Sequence, residues 1–129
     1  MRLFQVSLIV RDYDEAIRFY VDKLGFDLLE DTVLTETKRW VRVGSPDNGA
    51  ACLLLARAAS EEQMKSVGNQ TGGRVFLFLE TDNIQEAITR CEQNGIQIVQ
   101  SLRDEPYGKV IVIEDLYGNK IDVIQPVVR

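Results

Sequence analysis

The sequence predicts an α+β protein made of two βαβββ modules whose strands form a mostly antiparallel sheet. Three features carry that prediction. The helical stripe Tyr13, Ala16, Ile17 and Tyr20 recurs with the same spacing as Ile84, Ala87, Ile88 and Cys91, and Glu15-Ala16-Ile17 returns as Glu86-Ala87-Ile88. The stretch Tyr107 to Pro126 reads as strand, tight turn, strand, and a weaker copy runs from Val41 to Leu55, with SPDNG in place of DLYGN. Between the copies lies the most linker-like run of the chain, Gly68-Asn69-Gln70-Thr71-Gly72-Gly73. One unit used twice leads us to expect a pocket where the copies meet. The whole chain is expected to be one domain, with module 1 at about 1–67, a linker at about 68–72 and module 2 at about 73–127.

Each element has a local reason. Leu3 to Val10 alternates, with Gln5, Ser7 and Ile9 on one face and Val6, Leu8 and Val10 on the other, as in a strand buried on its second face. Asp12 is a helix N-cap with Glu15 at the capping-box spacing, and Gly25 closes that helix. Strands are expected at Phe26 to Thr35, Lys38 to Gly44 and Ala50 to Ala56. Ala58 to Val67 is short and helix-like, with Ser60 and Gln63 forming a second capping box. The pattern then restarts with a strand at Arg74 to Glu80. A helix follows, capped by Asp82 or Asn83 and ended by Asn94-Gly95, one residue shorter than the first copy. Ile96 to Leu102 is a strand, and the Lys109 to Ile113 and Ile121 to Ile124 hairpin completes the module. In its turn, Asp115 can bond its own backbone and Gly118 and Asn119 tolerate positive φ. Glu114 beside Asp115 reads as a solvated pair.

Composition narrows the chemistry. The 129 residues suffice for one domain with a core, and 45% hydrophobic with 27% charged residues fits a globular protein in water. No apolar run approaches the ~20 residues of a membrane helix, and the opening MRLFQVSLIV alternates like a strand. The expected setting is the cytoplasm, without a membrane partner. A net charge of −5 and the lack of any basic cluster argue against nucleic-acid binding. Cys52 and Cys91 read as buried small hydrophobes. There is no histidine, which excludes Ser-His-Asp and Cys-His nucleophilic sites and every His-ligated zinc or iron site.

The order of these motifs resembles the vicinal oxygen chelate superfamily, the glyoxalase/bleomycin resistance/dioxygenase group. The matching residues are Val6 to Asp12, Phe19-Tyr20 with Leu24-Gly25-Phe26, Phe78 to Asp82, Pro106-Tyr107-Gly108 and Asp115 to Asn119. Together they cover essentially the whole chain. The resemblance implies the glyoxalase/bleomycin resistance fold, a cupped sheet around a cavity. It also implies, in metal-dependent members, a His or Gln on the first strand of each unit and a carboxylate on the last. Carried over singly, these positions fall on Gln5, Phe76, Leu53 (or Leu54 after a one-residue slip) and Asp122. Two oxygen donors are fewer than a stable divalent site normally uses. We therefore expect no metal and no other cofactor, with Gln5 and Asp122 the only candidate ligands.

With the metal-position residues facing the cavity, the expected ligand-binding side chains are Gln5, Ser7, Leu53, Phe76, Phe78 and Asp122, with Tyr107 at the rim. Ala51 and Leu55 are expected to face the same way as Leu53. Trp40 and Arg42 share one face of their strand. If that face points inward, Trp40 offers a stacking surface and Arg42 an anion contact. Asp122 is the candidate base should there be catalysis. The expected function is binding of a small, partly apolar molecule by a homodimer. The alternative is a lyase or dioxygenase that uses a weak oxygen-ligated metal or a carboxylate base.

Overall fold

A computed structural model describes residues 1–47 and 49–128. By its internal contacts the chain divides into Met1–Val67 and Gly68–Arg129. The first unit contains β1 (Gln5–Val10), α1 (Tyr13–Ile17), a wider helical segment π1 (Arg18–Lys23), β2 (Asp27–Val33), β3 (Arg39–Gly44), β4 (Cys52–Arg57) and the single turn α2 (Glu61–Met64). The second contains β5 (Val75–Glu80), α3 (Ile84–Gln93), β6 (Ile98–Glu105), β7 (Gly108–Glu114) and β8 (Lys120–Pro126).

The helix starts follow cap chemistry. The Asp12 carboxylate accepts from the Glu15 backbone N–H at 2.9 Å, and the Ser60 hydroxyl oxygen accepts from Gln63 N–H at 3.1 Å. Asn83, rather than Asp82, caps α3 by accepting from the N–H groups of Gln85 and Glu86. The residue that makes the first helix longer than the second is absorbed as a π turn: Leu24 N–H donates at 2.8 Å to the Phe19 carbonyl, five residues back. Phe19 and Tyr20 are both buried there, their rings edge-to-face at 4.9 Å. In the second unit, without the extra residue, α3 is regular throughout.

The two sheets have the same plan. Strand order is β1-β4-β3-β2 in one and β5-β8-β7-β6 in the other. β1 runs parallel to β4 and β5 to β8, and every other pair is antiparallel. Paired residues share a face, so register sorts the side chains. In the first sheet Leu8, Val10, Val41, Val43 and Leu55 are fully buried on the face that packs against α1. In the second, Ile111, Ile113 and Ile121 are fully buried against α3, whose Ile84 and Cys91 are also buried. The opposite face of each sheet is the one that neither α1 nor α3 covers.

The turn between β7 and β8 is closed by one carboxylate. Asp115 Oδ1 accepts from the N–H groups of Tyr117 and Asn119, each at 2.9 Å, and Oδ2 accepts from Asn119 Nδ2 at 2.9 Å. Asp115 and Asn119 are both buried, so Asp115 is a structural anchor and not half of a solvated pair. Gly118 alone takes the positive φ that this turn needs, at 97°. The stretch read as a linker is tied to that turn: Gln70 N–H donates to Asn119 Oδ1 at 3.1 Å. Gly68, at φ 78°, packs against the Tyr117 carbonyl so closely that a Cβ there would collide with it.

Candidate functional site

In the first unit, the helix-free face is organised by Arg42. Register sets Gln5 of β1 opposite Cys52 of β4, and Arg42 of β3 opposite Leu54. Arg42 Nε donates to Gln5 Oε1 at 2.9 Å and Nη2 to Cys52 Sγ at 3.4 Å. Its Nη1 lies 3.6 Å from Glu30 Oε1, and the guanidinium carbon sits 5.9 Å from the centre of the Phe4 ring. A groove of about 240 Å³ runs past this cluster, lined by Arg2, Phe4, Leu29, Arg42, Ser45 and Cys52 among others. Ser7 and Trp40 lie on the same face by alternation, Ser7 exposed and Trp40 half-buried.

Leu53 does not belong with them. It pairs with Val6 on one side and Val43 on the other, which places it on the helix-covered face, 5% exposed. Leu55 lies on that face as well, and Ala51 precedes the strand. The residue that faces with Gln5 and Ser7 is Leu54, which pairs with Ser7. The sequence position equivalent to Asp122 is therefore Leu54: Asp122 pairs with Phe78, and Phe78 occupies the place of Ser7 in the repeat.

In the second unit, the helix-free face is apolar around one acid. Asp122 sits on β8 between Phe78 of β5 and Val112 of β7. It is 7% exposed, and its Oδ1 is buried with no hydrogen-bond partner. Burial raises its carboxyl above the usual 3.8, partly opposed by the charge of Arg103. Arg103 is not bonded to it. Its Nε donates to Glu105 Oε1 at 2.9 Å and its Nη1 to Gln100 Oε1 at 3.0 Å, and Tyr107 also engages its charge. Tyr107 itself is half exposed and Phe78 is 67% exposed. Phe76 is half-buried, at a break in register between Val75 and Leu77. Arg103 was not legible from the pattern, because β6 carries two register shifts and its alternation is lost. Cys91 is buried on α3, and burial pushes its thiol up.

Two mixed four-stranded sheets built on one repeated plan define a duplicated βαβββ protein. The model of the Glyoxalase/Bleomycin resistance protein/Dioxygenase superfamily matches residues 2–123, and the chain belongs to that superfamily. An uncharacterized protein of Shewanella frigidimarina (strain NCIMB 400) is 51% identical over 95% of this chain and 92% of its own. The lactoylglutathione lyase of Salmonella typhimurium is 32% identical over 97% of this chain and 93% of its own. Among solved structures, TnmS3, an antibiotic binding protein from Streptomyces sp. CB03234, is 26% identical with a TM-score of 0.78, covering 98% of this chain and 96% of its own.

The metal that the superfamily's metal-dependent members hold does not fit the side chains present. The Gln5 oxygen accepts from a guanidinium, so its lone pair faces a fixed positive charge. Leu54 and Phe76 offer no donor atom. Asp122 supplies one carboxylate, and among the described residues no three His, Cys, Asp or Glu side chains are grouped to hold an ion.

Proposed function

We propose that this protein binds a small, partly apolar molecule without a metal and without converting it. The observation that carries this reading is the Arg42–Gln5 hydrogen bond. A divalent ion on the Gln5 oxygen would sit beside the guanidinium, where like charges about 4 Å apart repel by roughly 4 kcal/mol per unit charge at intermediate dielectric. Within the second unit, apolar side chains at Phe76 and Phe78 suit a ligand held by contact area, with Asp122 as one polar point. TnmS3, described as antibiotic binding, has the same fold and supports binding as a use of it.

The test combines two measurements on freshly purified protein. Native mass spectrometry is expected to show a small organic molecule retained by the folded chain. Incubation with the methylglyoxal–glutathione hemithioacetal, with nickel or zinc added, is expected to give no lactoylglutathione. Turnover that disappears in Asp122→Asn would overturn the binding-only reading in favour of a lyase.

The acting form is proposed to be a cytoplasmic homodimer. Exposed Leu28, Val33 and Leu34 on and just after edge strand β2 support a partner there. No helix among the described residues is long and apolar enough to cross a membrane. Sedimentation equilibrium at micromolar concentration checks the dimer, and a single monomeric species would remove it.

A further inference from the structure

Among the described residues, Asp122 Oδ1 is the one buried side-chain oxygen or nitrogen that lacks a hydrogen-bond partner. A buried acceptor left unpaired is costly, and buried polar groups nearly always find a partner. Here the neighbours cannot supply one. Register places Phe78 and Val112 on either side, and Val110 and Ile124 beyond them on the same face. Arg103, whose charge acts on Asp122, donates instead to Glu105 and Gln100. A donor is therefore missing from an otherwise apolar surface. Directly across from the carboxylate, the Phe78 ring is 67% exposed, a large apolar surface left open beside a buried charge. The chain as a whole carries a net charge of −5, which favours the approach of cations.

We infer that the ligand of the second unit is a flat apolar cation, whose protonated nitrogen donates to Asp122 Oδ1 while its ring lies against Phe78. The inference rests on the binding reading above and narrows it to a chemical class. The charge-assisted bond satisfies the orphaned oxygen, and the Phe78 ring favours a positive charge near its face.

Three probes of one shape separate charge from fit: benzamidinium, benzamide and benzoate, titrated at millimolar concentration against labelled protein and followed by amide NMR shifts. Benzamidinium is expected to bind at least 10-fold tighter than benzoate, with shifts centred on β5 and β8. Asp122→Asn is expected to remove about 10-fold or more of that preference. Phe78→Ala, at an exposed position, is expected to weaken benzamidinium several-fold with the melting temperature unchanged. Equal binding of all three probes, unaffected by Asp122→Asn, would overturn the cationic class and leave the binding reading standing. Silence of all three, together with no retained molecule in native mass spectrometry, would overturn both.

Discussion

Asp31 and Asp122 are carboxylates in sheets of identical strand order, and their surroundings treat them in opposite ways. Asp31, on edge strand β2, accepts from Arg39 Nε at 3.1 Å and Nη2 at 2.7 Å. That pair holds its carboxyl below the usual 3.8. Arg39 also reaches Asp14 of α1 at 2.9 Å and lies over the Tyr13 ring, so the charge ties helix to sheet. Asp122, on an inner strand, meets two apolar neighbours and no donor, and burial drives it up. The same contrast runs through the helix-free faces. In the first unit Gln5, Cys52, Glu30 and Arg42 satisfy one another, while in the second a single acid stands among Phe78, Val110 and Val112. Duplication has kept the backbone plan, which hydrophobic period and caps enforce, and has let the uncovered faces diverge in chemistry.

The largest effect that sharpens this contrast comes from the face assignment itself. Leu53→Ala is expected to cost about 2–5 kcal/mol in chemical denaturation, because its side chain fills the helix-covered core. Leu54→Ala, on the helix-free face and half-buried, is expected to cost well under half of that. The reverse order would place the first sheet in the wrong register.

Breaking the first unit's network comes next. Arg42→Ala is expected to destabilise by about 1–3 kcal/mol, since the Cys52 sulfur loses its donor and the Gln5 oxygen keeps only the weak Cys52 thiol. Thermal melts at neutral pH check this, and an unchanged melting temperature would mean that the network contributes nothing.

In the second unit the expected sign is opposite. Asp122→Asn is expected to stabilise the unliganded protein by about 1–2 kcal/mol at pH 7, a rise of a few degrees in melting temperature. Because the folded carboxyl lies above its ordinary 3.8, the native state holds that proton more tightly. Wild-type stability therefore falls as pH rises from the ordinary value through the folded one. The advantage of the asparagine is fullest above that window and vanishes below about pH 3.8.

The smallest effect belongs to Asp31→Asn, which is expected to cost under about 1 kcal/mol at pH 7, as partly exposed ion pairs do. Its folded carboxyl is depressed, so the stability that it contributes is present above the ordinary 3.8 and is lost as pH falls through the folded value. Melts of this variant and of Asp122→Asn over the same pH range should thus diverge from wild type in opposite directions.

Much of the fold was legible because its signals are local. Asp12, Ser60 and Asn83 mark helix starts through short-range bonds, and Asp115 with Gly118 sets a turn within five residues. The π turn was visible only as a count, one residue more in the first helix than in the second. How that residue is absorbed depends on packing of Phe19 and Tyr20. The face of Leu53 was not legible, since Cys52-Leu53-Leu54-Leu55 is apolar at every position and has no phase to read. Nor was the Arg42–Gln5 bond, which joins residues far apart in sequence through the pairing of three strands. Asp122 was found from the family position, but its missing partner could only emerge once Phe78 and Val112 were set beside it.

Calorimetric titration of nickel or zinc into chelator-treated protein tests the central claim most directly, namely that the superfamily's metal position has become a site for an organic ligand. The expected result is no saturable binding in wild type, with no change in Asp122→Asn or Gln5→Ala. One equivalent of tightly bound metal, lost in both variants, would contradict it.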